Sequence, residues 1–242
     1  MEKYQQGTCI YCGRTATTED HVPPKAWFPQ RLRSKMIVVP SCVECNNGNA
    51  KHEEHVRNLF AISEGIEKHP EGAFVLSSAL RALQKEKQKA YWMRICESRE
   101  LVDVVSSGGI YLDSVPGLKI EPNRLRNVIC KIVKGLFFEL YTKREWVLPS
   151  DHGVLVYFHD WQSFRVGKQM RLYAKAQRYS LEQNLFECCF TPCQDAPNAT
   201  IWLMLFYGGL VPTFWPGRLS VIQAITVPTS HPVWARSHDR RA

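Results

Sequence analysis

The chain lacks the features that mark membrane-spanning, secreted or repetitive proteins. It shows no secretory signal, no internal repeat and no low-complexity run. Its most apolar stretch, residues 199–215, is interrupted by Gly208, Gly209 and Pro212 and is shorter than the roughly 20 residues that a transmembrane helix needs. These absences predict a soluble, cytoplasmic protein whose cysteines stay reduced.

A net charge of either sign is nearly absent from the first quarter of the chain, where basic and acidic side chains almost balance. The whole sequence of 242 residues carries a net charge of +8, but residues 1–65 contain eight basic and seven acidic side chains. Residues 66–242 contain 23 basic and 16 acidic side chains and therefore hold most of the excess that would attract a polyanion. The length suits a small module, predicted at residues 1–65, followed by one larger domain, predicted at residues 66–242.

Four of the nine cysteines form two C-x-x-C pairs, Cys9 with Cys12 and Cys42 with Cys45. Thiolates at this spacing converge on one tetrahedral ion, so the pairs predict a four-cysteine structural zinc site. Disulfides are disfavoured because the cysteine count is odd and no secretory signal is present. The other cysteines, predicted to be buried thiols, are Cys96, Cys130, Cys188, Cys189 and Cys193.

Between and after these pairs stand three residues that could hold and use a second metal: Asp20, His21 and Asn46. Neighbours on an extended segment point their side chains to opposite sides. Asp20 could therefore bind a hard cation while the neutral imidazole of His21 takes a proton from water. The amide oxygen of Asn46 could be a second ligand to Mg²⁺ or Mn²⁺, which would steady the charge that develops on a phosphate.

These residues resemble the zinc-bearing branch of the HNH nucleases, which have the ββα-metal fold. The similarity covers about residues 7–60 and includes the order C-x-x-C, Asp20-His21-Val22-Pro23, C-x-x-C and Asn46. The resemblance implies that His21 is the general base, that Asp20 and Asn46 are metal ligands and that the four cysteines hold zinc. Many members carry an asparagine about six residues before the third cysteine, whereas this chain has none there and Ser34 is the candidate substitute.

A further metal ligand is ambiguous. Asn47, His52 and His55 follow the second cysteine pair on the expected helix, and the two histidines share one helical face. They could contact metal or phosphate. Because Lys51, Glu53 and Glu54 lie among them, a solvated face is the favoured interpretation.

The remainder of the chain predicts an α+β domain with helices before an antiparallel sheet. Periodicity indicates a long helix at residues 71–97, a second helix at residues 122–146 and strands at residues 153–159, 185–191, 200–207 and 219–227. The second helix is expected to present a solvent-facing basic side made of Arg124, Arg126, Lys131 and Lys134.

A basic stripe could bind nucleic acid by tracking its backbone. Its residues recur every three or four positions, which would align them on one helical face, although Gly167 makes a twisted hairpin as plausible. Such stripes are more often solvated surface than binding sites. The stripe consists of Arg165, Lys168, Arg171, Lys175 and Arg178.

Taken together, the sequence predicts a metal-dependent endonuclease that hydrolyses phosphodiester bonds, with DNA as the favoured polymer. The alternative is a non-catalytic zinc module that binds nucleic acid or a protein partner. By family analogy alone, the chain could also be a nuclease subunit activated by a partner, as in bacterial antiphage or toxin systems. Retention of Asp20, His21 and Asn46 together favours the enzyme, because zinc-dependent folding needs only the cysteines.

Overall fold

The structure, a computed structural model, combines helices with antiparallel sheets and confirms the α+β class. It describes residues 2–63, 65–106, 109–118, 121–160, 176–182, 184–193, 196, 199–210 and 220–230.

The first segment has the predicted order of two antiparallel strands followed by helix. After the short β1 (Glu2–Lys3), β2 (Thr18–Val22) pairs with β3 (Ile37–Ser41). Two helices follow directly, α1 (Val43–Gly48) and α2 (Ala50–Ala61). This arrangement places the beginning of α1 beside the end of the hairpin where the first cysteine pair also lies.

Two shorter helices and a hairpin connect this segment to the rest of the chain. The predicted single helix at residues 71–97 is wrong in one respect, because Lys85 is extended (φ −82°, ψ 127°) and divides it. The elements are α3 (Gly72–Leu83), α4 (Glu86–Glu97), β4 (Arg99–Val105) and β5 (Tyr111–Leu118).

The helix α5 (Pro122–Leu136) is buried along one side and continues as a π-helical turn over Phe137–Tyr141. Proline occupies its first turn, where the missing amide donor costs nothing. The helix ends before residue 146, the predicted limit. Its expected basic side is also wrong at Lys131, whose side chain is only 7% exposed.

A five-stranded antiparallel sheet forms the second half of the chain, in the order β7-β11-β10-β9-β8. Four strands match the predicted positions within one residue at each end, and β8 was not anticipated. A separate strand, β6 (Trp146–Val147), pairs with β1. The strands of the large sheet are β7 (His152–Asp160), β8 (Gln177–Glu182), β9 (Phe186–Pro192), β10 (Thr200–Phe206) and β11 (Ser220–Pro228).

One hydrophobic cluster contains buried residues from both predicted domains, so the two pack closely. Trp27 illustrates this contact, because its ring centroid lies 4.9 Å from that of Phe60 and 5.6 Å from that of Phe206. The hydroxyl of Tyr207 donates a hydrogen bond to the Trp27 carbonyl. The boundary at residue 65 stays a prediction about chain organisation, and the packing shows that the first segment is supported by the second.

Candidate metal centre

Two tight turns bring the four cysteines together. In the first, the Cys9 amide donates to the Arg14 carbonyl (2.6 Å) and the Gly13 amide donates to the Cys9 carbonyl (2.9 Å). Gly13 has φ 75°, a conformation that favours glycine. In the second, Cys42 caps α1 and its sulfur accepts from the Cys45 amide at 3.4 Å. Backbone hydrogen bonds therefore fix both pairs of sulfurs.

The ligand atoms of Cys9, Cys12, Cys42 and Cys45 all lie within 4.8 Å of one another. The Cys12 and Cys42 sulfurs are 3.7 Å apart, which is about the edge of a tetrahedron with Zn–S bonds of roughly 2.3 Å. None of the nine cysteines is in a disulfide. The predicted four-cysteine group is thus present and can hold a metal ion such as zinc.

The thiols are not equivalent before metal binding. Hydrogen bonding from Arg14 lowers the pKa of Cys12 to about 6, whereas burial raises the pKa of Cys45. The Arg14 guanidinium lies 3.4 Å from the Cys12 sulfur and 3.7 Å from the Cys42 sulfur. Since only the thiolate binds zinc, Cys12 is ready to bind at neutral pH and Cys45 must release a proton.

Asp20 and His21, neighbours on the hairpin, differ in how deeply their side chains are buried. Asp20 lies opposite Val39 and is 6% exposed, whereas His21 lies opposite Val38 and is half-buried. Neither ring nitrogen of His21 makes a hydrogen bond within the described part of the chain. Burial lowers its pKa, with a further lowering from the positive charge of Lys25. His21 is therefore neutral at pH 7, the form that can accept a proton.

Asn46 ties α1 to β2. Its side-chain nitrogen donates to the Glu19 carbonyl at 3.0 Å and to the Thr18 hydroxyl at 3.2 Å. Because the nitrogen faces a carbonyl, the orientation of the amide is defined. Its Oδ1 makes no hydrogen bond to any described residue and remains available as a ligand.

Asp20 sits in a buried ionic cluster that the sequence did not reveal. Its Oδ2 accepts a hydrogen bond from the Tyr11 hydroxyl at 2.8 Å and lies 2.9 Å from the Lys131 ammonium. The same ammonium lies 2.8 Å from Glu53 Oε1 and 3.4 Å from the Asn46 carbonyl. Three oxygens from β2, α1 and α2 thus surround one nitrogen from α5.

Opposing effects set the charges in this cluster. Burial lowers the pKa of Lys131, but the negative charges of Asp20 and Glu53 raise it by more, so the net shift is upward. Burial raises the pKa of Glu53, partly offset by the charge of Lys131. Burial and the charge of Asp20 likewise raise the pKa of Tyr11. The Tyr11 hydroxyl therefore stays protonated and donates its hydrogen bond to Asp20. Lys131 is therefore a permanent cation at neutral pH.

The additional ligand candidates lie apart from this arrangement. Within the described ranges, the only cluster of three or more Cys, His, Asp or Glu side chains close enough to share an ion is the four-cysteine group. His55 is 6% exposed, and burial followed by the charge of Arg124 lowers its pKa. The interpretation of His52 and His55 as a solvated face is thus wrong for His55, which is packed toward the start of α5. Asn47 is exposed.

Ser34 does not anchor the loop between the hairpin strands. It is exposed in a 3-10 turn, Gln30–Lys35, and makes no hydrogen bond to a described residue. Leu32, which is fully buried, and the ion pairs of Arg31 with Glu71 and Glu182 hold this loop instead.

Most of the predicted basic stripe lies outside the described residues: Arg165, Lys168, Arg171 and Lys175. Arg178 is described and is exposed on β8. The role of the stripe in binding nucleic acid stays a prediction.

Sequence reasoning missed three members of the site: Tyr11, Glu53 and Lys131. Tyr11 stands inside the first C-x-x-C pair, where an aromatic residue carries no metal-binding signal. Glu53 lies among charged neighbours that were attributed to a solvated face. Lys131 alone had a usable signal, because it falls between the apolar positions Ile129 and Ile132.

No family model, curated protein or solved structure matches this chain. In the described ranges, no helix combines the length and the apolar character required to cross a bilayer.

Proposed function

We propose that the protein hydrolyses phosphodiester bonds, with DNA as the favoured substrate, by chemistry of the HNH type. One observation carries the proposal. The Asn46 amide donates to the carbonyl of Glu19, the residue before Asp20, so Asn46 is tied to the strand that carries Asp20 and His21, next to the four-cysteine group. A zinc module that served only as a folding unit would not need this set.

The donor atoms suit a divalent cation. Asp20 is held through Oδ2 and Asn46 through Nδ2, and the Oδ1 atom of each makes no hydrogen bond to a described residue. Ligands that are fixed through one atom and open at the other are typical of metal sites with an ordered outer shell. Asp20 and Asn46 would hold Mg²⁺ or Mn²⁺, which would supply charge neutralisation at the phosphate and at the leaving oxygen.

His21 provides the proton transfer in this proposal. Its neutral imidazole has no competing hydrogen bond within the described residues, so a ring nitrogen can accept a proton from the attacking water. The net positive charge of residues 66–242 favours capture of a polyanionic substrate.

The test compares wild type with His21→Ala on plasmid, single-stranded DNA and RNA, each with Mg²⁺, Mn²⁺ or EDTA. Removing a general base lowers the rate by about 10²–10⁴-fold, so His21→Ala should lose cleavage while keeping its zinc and its fold. Glu19→Ala, an exposed neighbour on β2, is the matched control and should retain activity. Full activity in His21→Ala would refute the proposed base.

A non-catalytic binding module is the second candidate, and one observation favours it. Asp20 Oδ2 is already engaged by Tyr11 and Lys131, an arrangement that a purely structural role would explain. In that case wild type would bind a labelled oligonucleotide in an anisotropy assay and leave all three polymers intact with every metal.

A further inference from the structure

The Lys131 ammonium occupies a place that a divalent cation would otherwise take. Asp20 Oδ2 and Glu53 Oε1 lie 2.9 and 2.8 Å from it, and the Asn46 carbonyl completes a set of three oxygens. Two carboxylates and a carbonyl are the donors that hard divalent cations prefer. The chain therefore fills an oxygen-lined cation site with its own positive charge.

A close approach of α5 to β2 delivers this ammonium. A Cβ added to Gly135 would lie 2.5 Å from Val22 Cγ2, so only glycine allows the helix to come so near. Gly135 follows Lys131 by four residues, about 6 Å along a helix. Val22 follows Asp20 by two residues, about 6.6 Å along a strand. The two contacts, Lys131 to Asp20 and Gly135 to Val22, therefore belong to one register between helix and strand.

The cluster keeps one uncompensated negative charge, because two carboxylates face one ammonium. Without Lys131, Asp20 and Glu53 would face each other as a buried pair of like charges and would attract a divalent cation between them. With Lys131 in place, that position is blocked and the open oxygens of Asp20 and Asn46 remain.

We propose that Lys131 is a positioning residue that keeps a divalent cation out of the space between Asp20 and Glu53 and directs it to the open oxygens of Asp20 and Asn46. This inference rests on the proposed function. It assigns to α5, which lies outside the predicted module of residues 1–65, a part in placing the metal for the reaction.

The test measures Mn²⁺ affinity by the electron paramagnetic resonance of free Mn²⁺, using full-length protein with its zinc content verified. Lys131→Met should bind Mn²⁺ about tenfold or more tightly than wild type, because a neighbouring positive charge has been removed. Its cleavage should nevertheless fall about a hundredfold or more, since the metal is drawn to the wrong oxygens. A residue with only a structural role would not raise metal affinity while lowering the rate.

Two further variants make the result specific. Lys131→Met combined with Glu53→Gln removes the second carboxylate charge, so the gained Mn²⁺ affinity should return toward that of wild type. Lys134→Met removes a half-buried lysine from the same helix and should change neither quantity. If Lys131→Met folds poorly without metal, thermal unfolding replaces the affinity measurement, and Mn²⁺ should raise its Tm more than that of wild type.

Unchanged or weaker Mn²⁺ binding by Lys131→Met, or tighter binding with cleavage intact, would overturn the role of Lys131. In the thermal measurement, a Tm gain no larger than that of wild type would do the same. Failure of the proposed function has a different signature, because wild type would then cleave no polymer with any metal while the Mn²⁺ comparison still distinguishes the variants.

Discussion

Two cation sites of opposite design lie along the β2–β3 hairpin: the cysteine end, where the C-x-x-C turns meet it, and the carboxylate end, centred on Asp20 in the middle of β2. At the cysteine end, four sulfurs converge, and the positive charge of Arg14 contacts two of them. At the other end, Asp20 and Glu53 are already bridged by Lys131. The first end can hold an ion from solution, and the second is partly neutralised by the ammonium of Lys131.

The two sites also differ in how far apart their residues lie along the sequence. All four cysteines lie within residues 9–45, so the spacing in the sequence is enough to define the group. The ionic cluster requires Lys131, which is 111 positions beyond Asp20 in the chain. Loss of the ion should therefore damage the first end, and displacement of α5 should damage the second.

The largest effect is expected from breaking the cysteine end with Cys42→Ser. This change removes one of the four sulfurs, while the serine hydroxyl can still cap α1, so the loss reports on the metal site and not on the cap. Structural zinc is worth about 10–16 kcal/mol of apparent binding free energy in small modules, so much of the first segment should unfold. Elemental analysis should find close to one zinc per wild-type chain and little in the variant, and circular dichroism should show lost structure.

Cys96→Ser is the control for this prediction, because Cys96 is distant in sequence from the group and is exposed, so that its predicted burial was wrong. It should keep both zinc and fold. A Cys42→Ser protein that stays folded with a full complement of zinc would show that the four-cysteine group is not the metal centre.

A smaller effect is expected from pushing the helix away from the strand with Gly135→Ala. The new methyl group would meet the buried Val22, an overpacking that typically costs about 1–3 kcal/mol. Higher helix propensity offsets this by about 1 kcal/mol. We expect a net decrease of the free energy of unfolding in urea, together with altered Mn²⁺ binding and an unchanged zinc content.

Gly48→Ala separates helix propensity from overpacking, because a Cβ at Gly48 would meet nothing within 4 Å. That substitution should be neutral or slightly stabilising. If Gly135→Ala is equally neutral and leaves Mn²⁺ binding unaltered, the register between α5 and β2 does not control the carboxylate end.

The parts of the fold that follow from local pattern were predictable. Two C-x-x-C pairs at a fixed spacing defined the cysteine group, and alternating burial along β2 separates Asp20 from His21 as expected. Four of the five strands of the large sheet also followed from alternation and from turn residues such as Gly208 and Gly209, whereas β8 did not. The break between α3 and α4 was missed because no glycine or proline marks Lys85.

The pairing at the carboxylate end was not predictable: the apolar neighbours of Lys131 indicate its burial, but nothing local shows which carboxylates meet it. Lys131 was assigned to a basic side of its helix, although its neighbours Val128, Ile129 and Ile132 are all buried. A buried lysine requires opposite charges close by, and the sequence does not reveal that β2 and α2 supply them. The burial of His55 was missed for the same reason, since it depends on contact with α5.

The smallest expected effect concerns the pH dependence of cleavage. Burial lowers the pKa of His21 below its ordinary 6.5, and Lys25 adds to this lowering. A base must be neutral to act, so kcat/KM should fall as the pH drops through this pKa, below pH 6.5. Lys25→Met removes a positive charge near the imidazole and should raise the pKa of His21, which moves the acidic limb toward higher pH. The exposed Lys51 provides the control, because Lys51→Met should leave the limb in place.

Added salt should reduce the difference between Lys25→Met and wild type, since ions screen an exposed charge. A limb that responds to neither Lys25 nor salt would assign the titration to another group, and His21 would lose its place as the base.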